Sequence, residues 1–168
     1  IASFEQIFAN RKNSQGLDLN NSLQIQSVQQ QLSTLANNTI KAQTKITGTK
    51  TNSSSVAIMG PIVRETAVGE ITVATQEQVE KALVLASKAY IGWSNWSIED
   101  RANCLEKAAD LLMQDQVKFM DLCIREAGKT WQDAVDEIRE AVDFLRYYAQ
   151  QSRINLAEQE CEGPTGEE

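Results

Sequence analysis

Histidine is absent from the 168 residues. That removes a His-based triad, a Cys–His dyad and any histidine metal ligand from the chemistry open to this chain, although a carboxylate or a lysine could still serve as a base. Cysteine is scarce. Cys104, Cys123 and Cys161 form neither a CxxC pair nor a framework of bridges, so they read as free thiols of a reducing compartment. No apolar run approaches the roughly 18 residues of a membrane span, and no signal peptide opens the chain. No cluster of Lys and Arg marks a nucleic-acid footprint. The expectation is a cytoplasmic protein that binds no nucleic acid, inserts into no membrane and holds no metal.

What is present is a chain that is 42% hydrophobic, with a net charge of −7. The charge is uneven. From Ile154 onward there are five glutamates and no Lys or Arg, so the rest carries about −2. The first residue is Ile1 rather than Met, which reads as a processed piece of a longer polypeptide. The length suits one domain or slightly less. Three regions are expected: 1–55, a linker region with one helix and a mobile Thr/Ser/Asn-rich stretch; 56–153, a folded part; and 154–168, a disordered acidic tail.

The apolar residues Leu23, Val28, Leu32 and Leu35, with Ile25 beside them, predict a helix over 22–35. Residues 37–55 have little to bury and read as an exposed linker. Val56–Met59, ended by Gly60-Pro61, predicts a strand, and residues 69–74 alternate as its antiparallel partner. Thr75 with Gln78 is a capping box that opens a helix, with Val79, Ala82, Leu83, Ala86, Tyr90 and Trp93 as one buried stripe. Ser97 with Asp100 opens the next, striped by Ala102, Leu105, Ala109 and Leu112. It reaches Ala127, with a kink at Gln114-Asp115-Gln116 and Gly128 as its C-terminal cap. Thr130 with Asp133 opens the last, striped by Ala134, Val135, Ile138, Ala141, Val142 and Leu145. Short joints between these three helices predict an antiparallel cluster. The fold class is mostly α with a small antiparallel β pair.

Several of these segments carry a resemblance. Val68-Gly69-Glu70-Ile71, the helix ending in Trp93, Arg101-Ala102 with Ala108-Ala109-Asp110-Leu111-Leu112, and Glu126-Ala127-Gly128-Lys129 are together similar to the early part of the aldehyde dehydrogenase family. Glu140-Ala141-Val142-Asp143-Phe144 followed by Tyr147-Tyr148 is narrower, and resembles the branch that oxidises glutamate semialdehyde, the pyrroline-5-carboxylate dehydrogenases. Arg11-Lys12-Asn13-Ser14-Gln15-Gly16-Leu17-Asp18-Leu19 looks like the segment before this domain in the bifunctional proline utilisation A proteins. The resemblance implies a fragment of an α/β aldehyde dehydrogenase fold. It implies a parent protein that uses NAD in this domain and FAD in a fused proline dehydrogenase, with neither bound to this chain alone. The implied partners are the remainder of its own polypeptide and further copies in a homo-oligomer. Two alternatives stay open: a single-function pyrroline-5-carboxylate dehydrogenase, and a non-catalytic helical interaction module.

The family's catalytic cysteine, its general-base glutamate and its nucleotide-binding turn match no position of this chain, so no catalytic or cofactor-binding residue is assigned. Cys104 and Cys123 are expected to be buried helix residues, since free cysteine packs as a small hydrophobe. Gly128-Lys129-Thr130 has the ending of a phosphate-binding loop, but position 123 is Cys where that loop needs glycine, and the motif fails. Lys129 and Glu126 read as residues flanking a helix cap. The resemblance singles out Glu140: the acid in the matching position of the branch contacts the substrate amino group. The local charge pattern is compatible. Asp133, Asp136, Glu137, Glu140 and Asp143 crowd one side of the last helix, where like charges three and four residues apart repel. Arg139 and Arg146 are expected to relieve part of that repulsion. The plain alternative is a solvated acidic face that complements the helix N-terminus.

Overall fold

Asn21 opens the first helix, α1 (Ser22–Leu35), by accepting the N–H groups of Leu23 and Gln24 with its side chain. The computed structural model describes residues 7, 8, 10–49, 54–157, 164 and 165. Most of the expected acidic tail, Cys161 included, lies outside them. α1 buries Val28 and half-buries Leu32 and Leu35, while Leu23 is exposed. Three strands follow: β1 (Ile40–Ala42), β2 (Ser55–Met59) and β3 (Ala67–Thr72). β2 and β3 form the expected antiparallel pair. The register shifts between Ile58 and Met59 around Val68, a bulge that leaves Val68 buried.

The sheet differs from expectation in one respect. β1, inside the segment read as linker, pairs parallel with β3, so the sheet is three-stranded and mixed, in the order β1-β3-β2. A three-residue strand with no buried side chain leaves no hydrophobic alternation to read. Its pairing comes from backbone hydrogen bonds, with one exposed ion pair across it between Lys41 and Glu70 at 3.6 Å.

The helical half begins with α2 (Gln76–Ser94), whose capping box between Thr75 and Gln78 is complete. α3 (Ile98–Gln114) is capped by Ser97, and Asp115 separates it from α4 (Gln116–Ala127) at the expected kink. Gly128 ends α4 in the left-handed region, at φ 67. A side chain there would also meet Pro61 at 2.9 Å, and one at Gly60 would run into the Arg125 carbonyl. Two glycines thus let the β2–β3 turn lie against the end of α4. α5 (Trp131–Asn155) starts at the Thr130 cap and continues two residues into the segment expected to be disordered.

The core joins Val28 of α1, Ala109 of α3, Met120 of α4, and Ala134, Val135, Ile138 and Val142 of α5. α5 lies against α3 and α4, and α1 lies on α4. Arg153 ties α5 to the start of α3 through Glu99 (2.7 Å) and Glu106 (2.7 Å). Arg125 pairs with buried Asp121 at 3.0 Å and also donates to the carbonyls of Leu35 and Asn38, which fastens the end of α1.

Three burial expectations fail. The apolar face of α2 is bare: Val79, Leu83, Tyr90 and Trp93 are exposed, and α2 makes no substantial packing contact with another element. The packed cluster is therefore α3, α4 and α5, joined by α1 and not by α2. An apolar stripe states that a face seeks cover and does not state what covers it. Cys104 is exposed. Ala141 is exposed as well, and α5 buries Arg146 and Ala149 beyond Val142.

Met120→Ala is expected to cost about 2–5 kcal/mol by large-to-small truncation in a sealed core. Leu83→Ala on the bare face should stay within about 0.5 kcal/mol. Urea denaturation of both variants checks this, and comparable losses at the two positions would contradict the packing described.

Candidate functional site

Glu140, Asp143, Phe144 and Tyr147 stand at i, i+3, i+4 and i+7 on α5, which places them on one face of the helix. With Arg11 they line a shallow cavity of about 410 Å³. Arg11 is the part of the N-terminal segment that reaches it. Asp143 holds that segment: its two carboxylate oxygens accept the Ser14 N–H (2.7 Å) and the Ser14 Oγ–H (2.8 Å), and Ser14 is fully buried. Arg11, three residues earlier, lays its guanidinium over the Phe8 ring at 4.1 Å and the Tyr147 ring at 5.3 Å. Such cation–π contacts hold a charged group without neutralising it. Phe144 stacks on Tyr148 at 6.0 Å, which extends the aromatic wall.

The acids crowded on α5 fare differently from one another. Asp133 accepts from Thr130, Asp136 meets Gln132 and Arg139, and Glu137 pairs with Lys129. Asp143 is taken by Ser14. Glu140 alone among the five has no hydrogen bond or ion pair with a described residue, and it is exposed on the cavity. Arg146 departs from expectation. It is buried and pairs with Asp110 of α3 at 3.1 Å, so it relieves none of the α5 acids. The residues that the sequence reading passed over here are Arg11, Ser14 and Tyr147. A signal existed for Ser14 and Arg11 in the recognisable 11–19 segment, but nothing in one dimension joins it to a helix more than a hundred residues later.

The reactive-looking residues elsewhere have local explanations. Lys129 is held protonated above its usual range by its hydrogen bond to Glu137. The N–H groups of Gly128 and Lys129 turn back on the carbonyls of Ile124 and Cys123, as a helix end requires. Burial and the nearby Glu137 push the Cys123 thiol up, away from a reactive thiolate. No group of His, Cys, Asp and Glu among the described residues could hold a metal ion. A larger groove of about 440 Å³ between α1 and the α3–α4 joint includes none of the α5 acids.

The aldehyde dehydrogenase family model matches residues 48–167. The chain belongs to the aldehyde dehydrogenase family. It is 37% identical over 101 residues to 1-pyrroline-5-carboxylate dehydrogenase 1 of Halalkalibacterium halodurans, which covers 60% of this chain and 20% of that protein. It is 36% identical over 157 residues to the bifunctional protein PutA of Salmonella typhimurium, covering 93% of this chain and 12% of that one. The structure of 1-pyrroline-5-carboxylate dehydrogenase from Thermus with bound NAD superposes with a TM-score of 0.81 at 24% identity, over 94% of this chain and 31% of that one. The likeness to that structure shows the fold. The chain thus spans about a fifth or less of the curated relatives it matches, and the aldehyde dehydrogenase fold expected from its motifs is borne out.

In this aldehyde dehydrogenase segment, Cys104 is expected to alkylate faster than Cys123. Cys104 is exposed, whereas Cys123 is half-buried with its thiol raised. Timed iodoacetamide labelling at pH 8 with peptide mass spectrometry measures both rates, and faster labelling of Cys123 would contradict the environment described.

Proposed function

We propose that this chain is the opening part of a domain that oxidises L-glutamate γ-semialdehyde, the open form of pyrroline-5-carboxylate, to glutamate with NAD. The domain is fused to an FAD-dependent proline dehydrogenase in a cytoplasmic proline-catabolic enzyme. The observation that carries the reading is Glu140. It is the one acid of its helix left without a partner among the described residues, and it faces a cavity with aromatic walls. An ammonium group placed there gains a charge-assisted hydrogen bond and relieves the repulsion from the neighbouring acids. The fused architecture is supported by the reach of the PutA similarity. It covers 93% of the chain, and so extends well upstream of residue 48, where the family model begins. The single-function dehydrogenase remains the second reading, favoured by the 37% identity within the domain proper.

The residues present do not fit a nucleotide phosphate. The glycine ahead of a helix start, Gly128, serves as the cap of α4, and Thr130 already takes the Asp133 N–H at the start of α5. No step of hydride transfer is therefore assigned to this chain. Its part is to bind and orient: Glu140 takes the amino end, Phe144 and Tyr147 exclude water beside it, and the aldehyde points toward groups supplied by the rest of the polypeptide. The bare face of α2 supports a role for that remainder, or for further copies in a homo-oligomer, as cover.

The isolated chain is expected to form no NADH from glutamate semialdehyde above a no-protein control. Formation in proportion to purified chain would overturn that part of the reading.

In the full-length enzyme, Glu140→Ala is expected to lower kcat/KM for the semialdehyde about ten- to a hundredfold. That corresponds to the roughly 1.5–3 kcal/mol of a charge-assisted hydrogen bond. The melting temperature should hardly move, because the exposed side chain leaves no core cavity. Equal losses on an aldehyde without the amino group, or a large fall in melting temperature, would make Glu140 a structural residue.

A further inference from the structure

A second cavity, of about 210 Å³, lies where α3, α5 and the N-terminal segment meet. It shares only Arg11 with the Glu140 cavity. Arg146 and Gln150 of α5, Glu106 and Asp110 of α3, and Lys12 line the rest of it. Its charges do not balance. Glu106 is taken at 2.7 Å by Arg153, which is not part of the lining. Asp110 is taken by Arg146 at 3.1 Å. Lys12 has no ion pair with a described residue, and neither has Arg11. Arg146 is only 7% exposed, yet the bond to Asp110 is its one hydrogen bond with a described residue. A guanidinium holds several donors in a fixed fork, so most of the capacity of this buried one is unused. A buried charge with free donors destabilises the fold unless an anion accepts from them.

We infer that this cavity binds a small tetrahedral oxyanion of the phosphate class, held by Arg146, Lys12 and the amide of Gln150. The donors come from α5 and from the N-terminal segment, which are far apart in the chain. One fork satisfies a planar carboxylate, whereas a tetrahedral anion offers oxygens to donors on several sides. The volume lies below the roughly 300 Å³ at which sites for drug-sized ligands begin. The ligand is therefore a free ion or the phosphoryl end of a larger molecule. Bound there, it links Lys12 to α5 and adds a second fastening of the N-terminal segment to the Ser14–Asp143 contact. The inference uses none of the groups assigned to the semialdehyde and stands apart from that reading.

The test uses the full-length enzyme saturated with NAD, so that phosphate does not report on the nucleotide site. Hydrogen exchange at the amides of residues 10–14 is followed against inorganic phosphate, with sodium chloride at matched ionic strength as the control. At ten times its Kd, phosphate should slow that exchange about tenfold. Lys12→Met should weaken the apparent affinity about tenfold or more. Lys12 is exposed, so this variant should keep its melting temperature. Arg146→Lys keeps the charge without the fork and should also weaken binding. Arg146 is buried, so the melting temperature of that variant is read alongside, and Lys12→Met carries the test if Arg146→Lys fails to fold. Acetate should protect less than phosphate. Methyl phosphate separates the two sources: tighter binding than inorganic phosphate supports a phosphoryl group on a larger molecule, and weaker binding supports the free ion. Protection by acetate equal to that by phosphate would overturn the inference. So would no slowing by phosphate, equal slowing by chloride, or protection of Lys12→Met at the same phosphate concentration as the unsubstituted enzyme.

Discussion

The rotation of α5 about its own axis is the constraint on which the rest depends. Ala134, Val135, Ile138 and Val142 are sealed against α3 and α4. At 100° per residue, that choice sends Glu140 to the far side of the helix and turns Asp143 toward the N-terminal segment. A slip of one residue would rotate the whole set by 100° and carry a carboxylate into the core, at a cost of several kcal/mol. The apolar face therefore decides where the charges go. Small residues make the contact close: Ala102 and Ala109 on α3 and Ala134 and Ala149 on α5 are all buried. Hydrophobic burial supplies the energy, and the ion pairs of Arg146 and Arg153 with α3 set the register at its edge.

Charge on α5 is handled locally, residue by residue. A cap hydroxyl, a neighbouring amide, a lysine and a distant serine each occupy one acid. The exposed contacts among these contribute only about 0–1 kcal/mol each, whereas the two bonds from buried Ser14 to Asp143 fasten the N-terminal segment. Their consequence is selective. They leave Glu140 without a partner among the described residues, in a cavity lined by Phe144 and Tyr147. The same division appears in the N-terminal segment, where Ser14 is buried and bonded to Asp143, and Arg11, three residues away, is held by rings without a counter-ion among the described residues.

Elsewhere the structure shows what a partial domain looks like from its own residues. Arg125 and Asp121 form a mostly buried pair whose spare donors close the carbonyl end of α1. Such a pair is tolerated because its remaining hydrogen-bonding capacity is used. α2 has the amphipathic pattern of a core helix with nothing against it. Its capping box still forms, because capping needs only four consecutive residues.

That contrast separates what one dimension holds from what three decide. The helix over 22–35, the helix starts at Thr75, Ser97 and Thr130, the break at Asp115, the glycine end at Gly128 and the β2–β3 pair were legible in order, since each depends on neighbours within a few residues. So was the family, carried by short runs such as Glu140–Phe144. Strand β1 was not legible, because its pairing is made by backbone groups that every sequence has. The cover of α2, the exposure of Cys104 and the inward turn of Arg146 were not legible either. Periodicity names a face but not its neighbour. For the site, the sequence by itself pointed to Glu140 and to the acids around it. Only the tertiary structure decided which of those acids has no partner among the described residues and that Arg11 lines the same cavity, because both follow from packing the 11–14 segment onto a helix more than a hundred residues away.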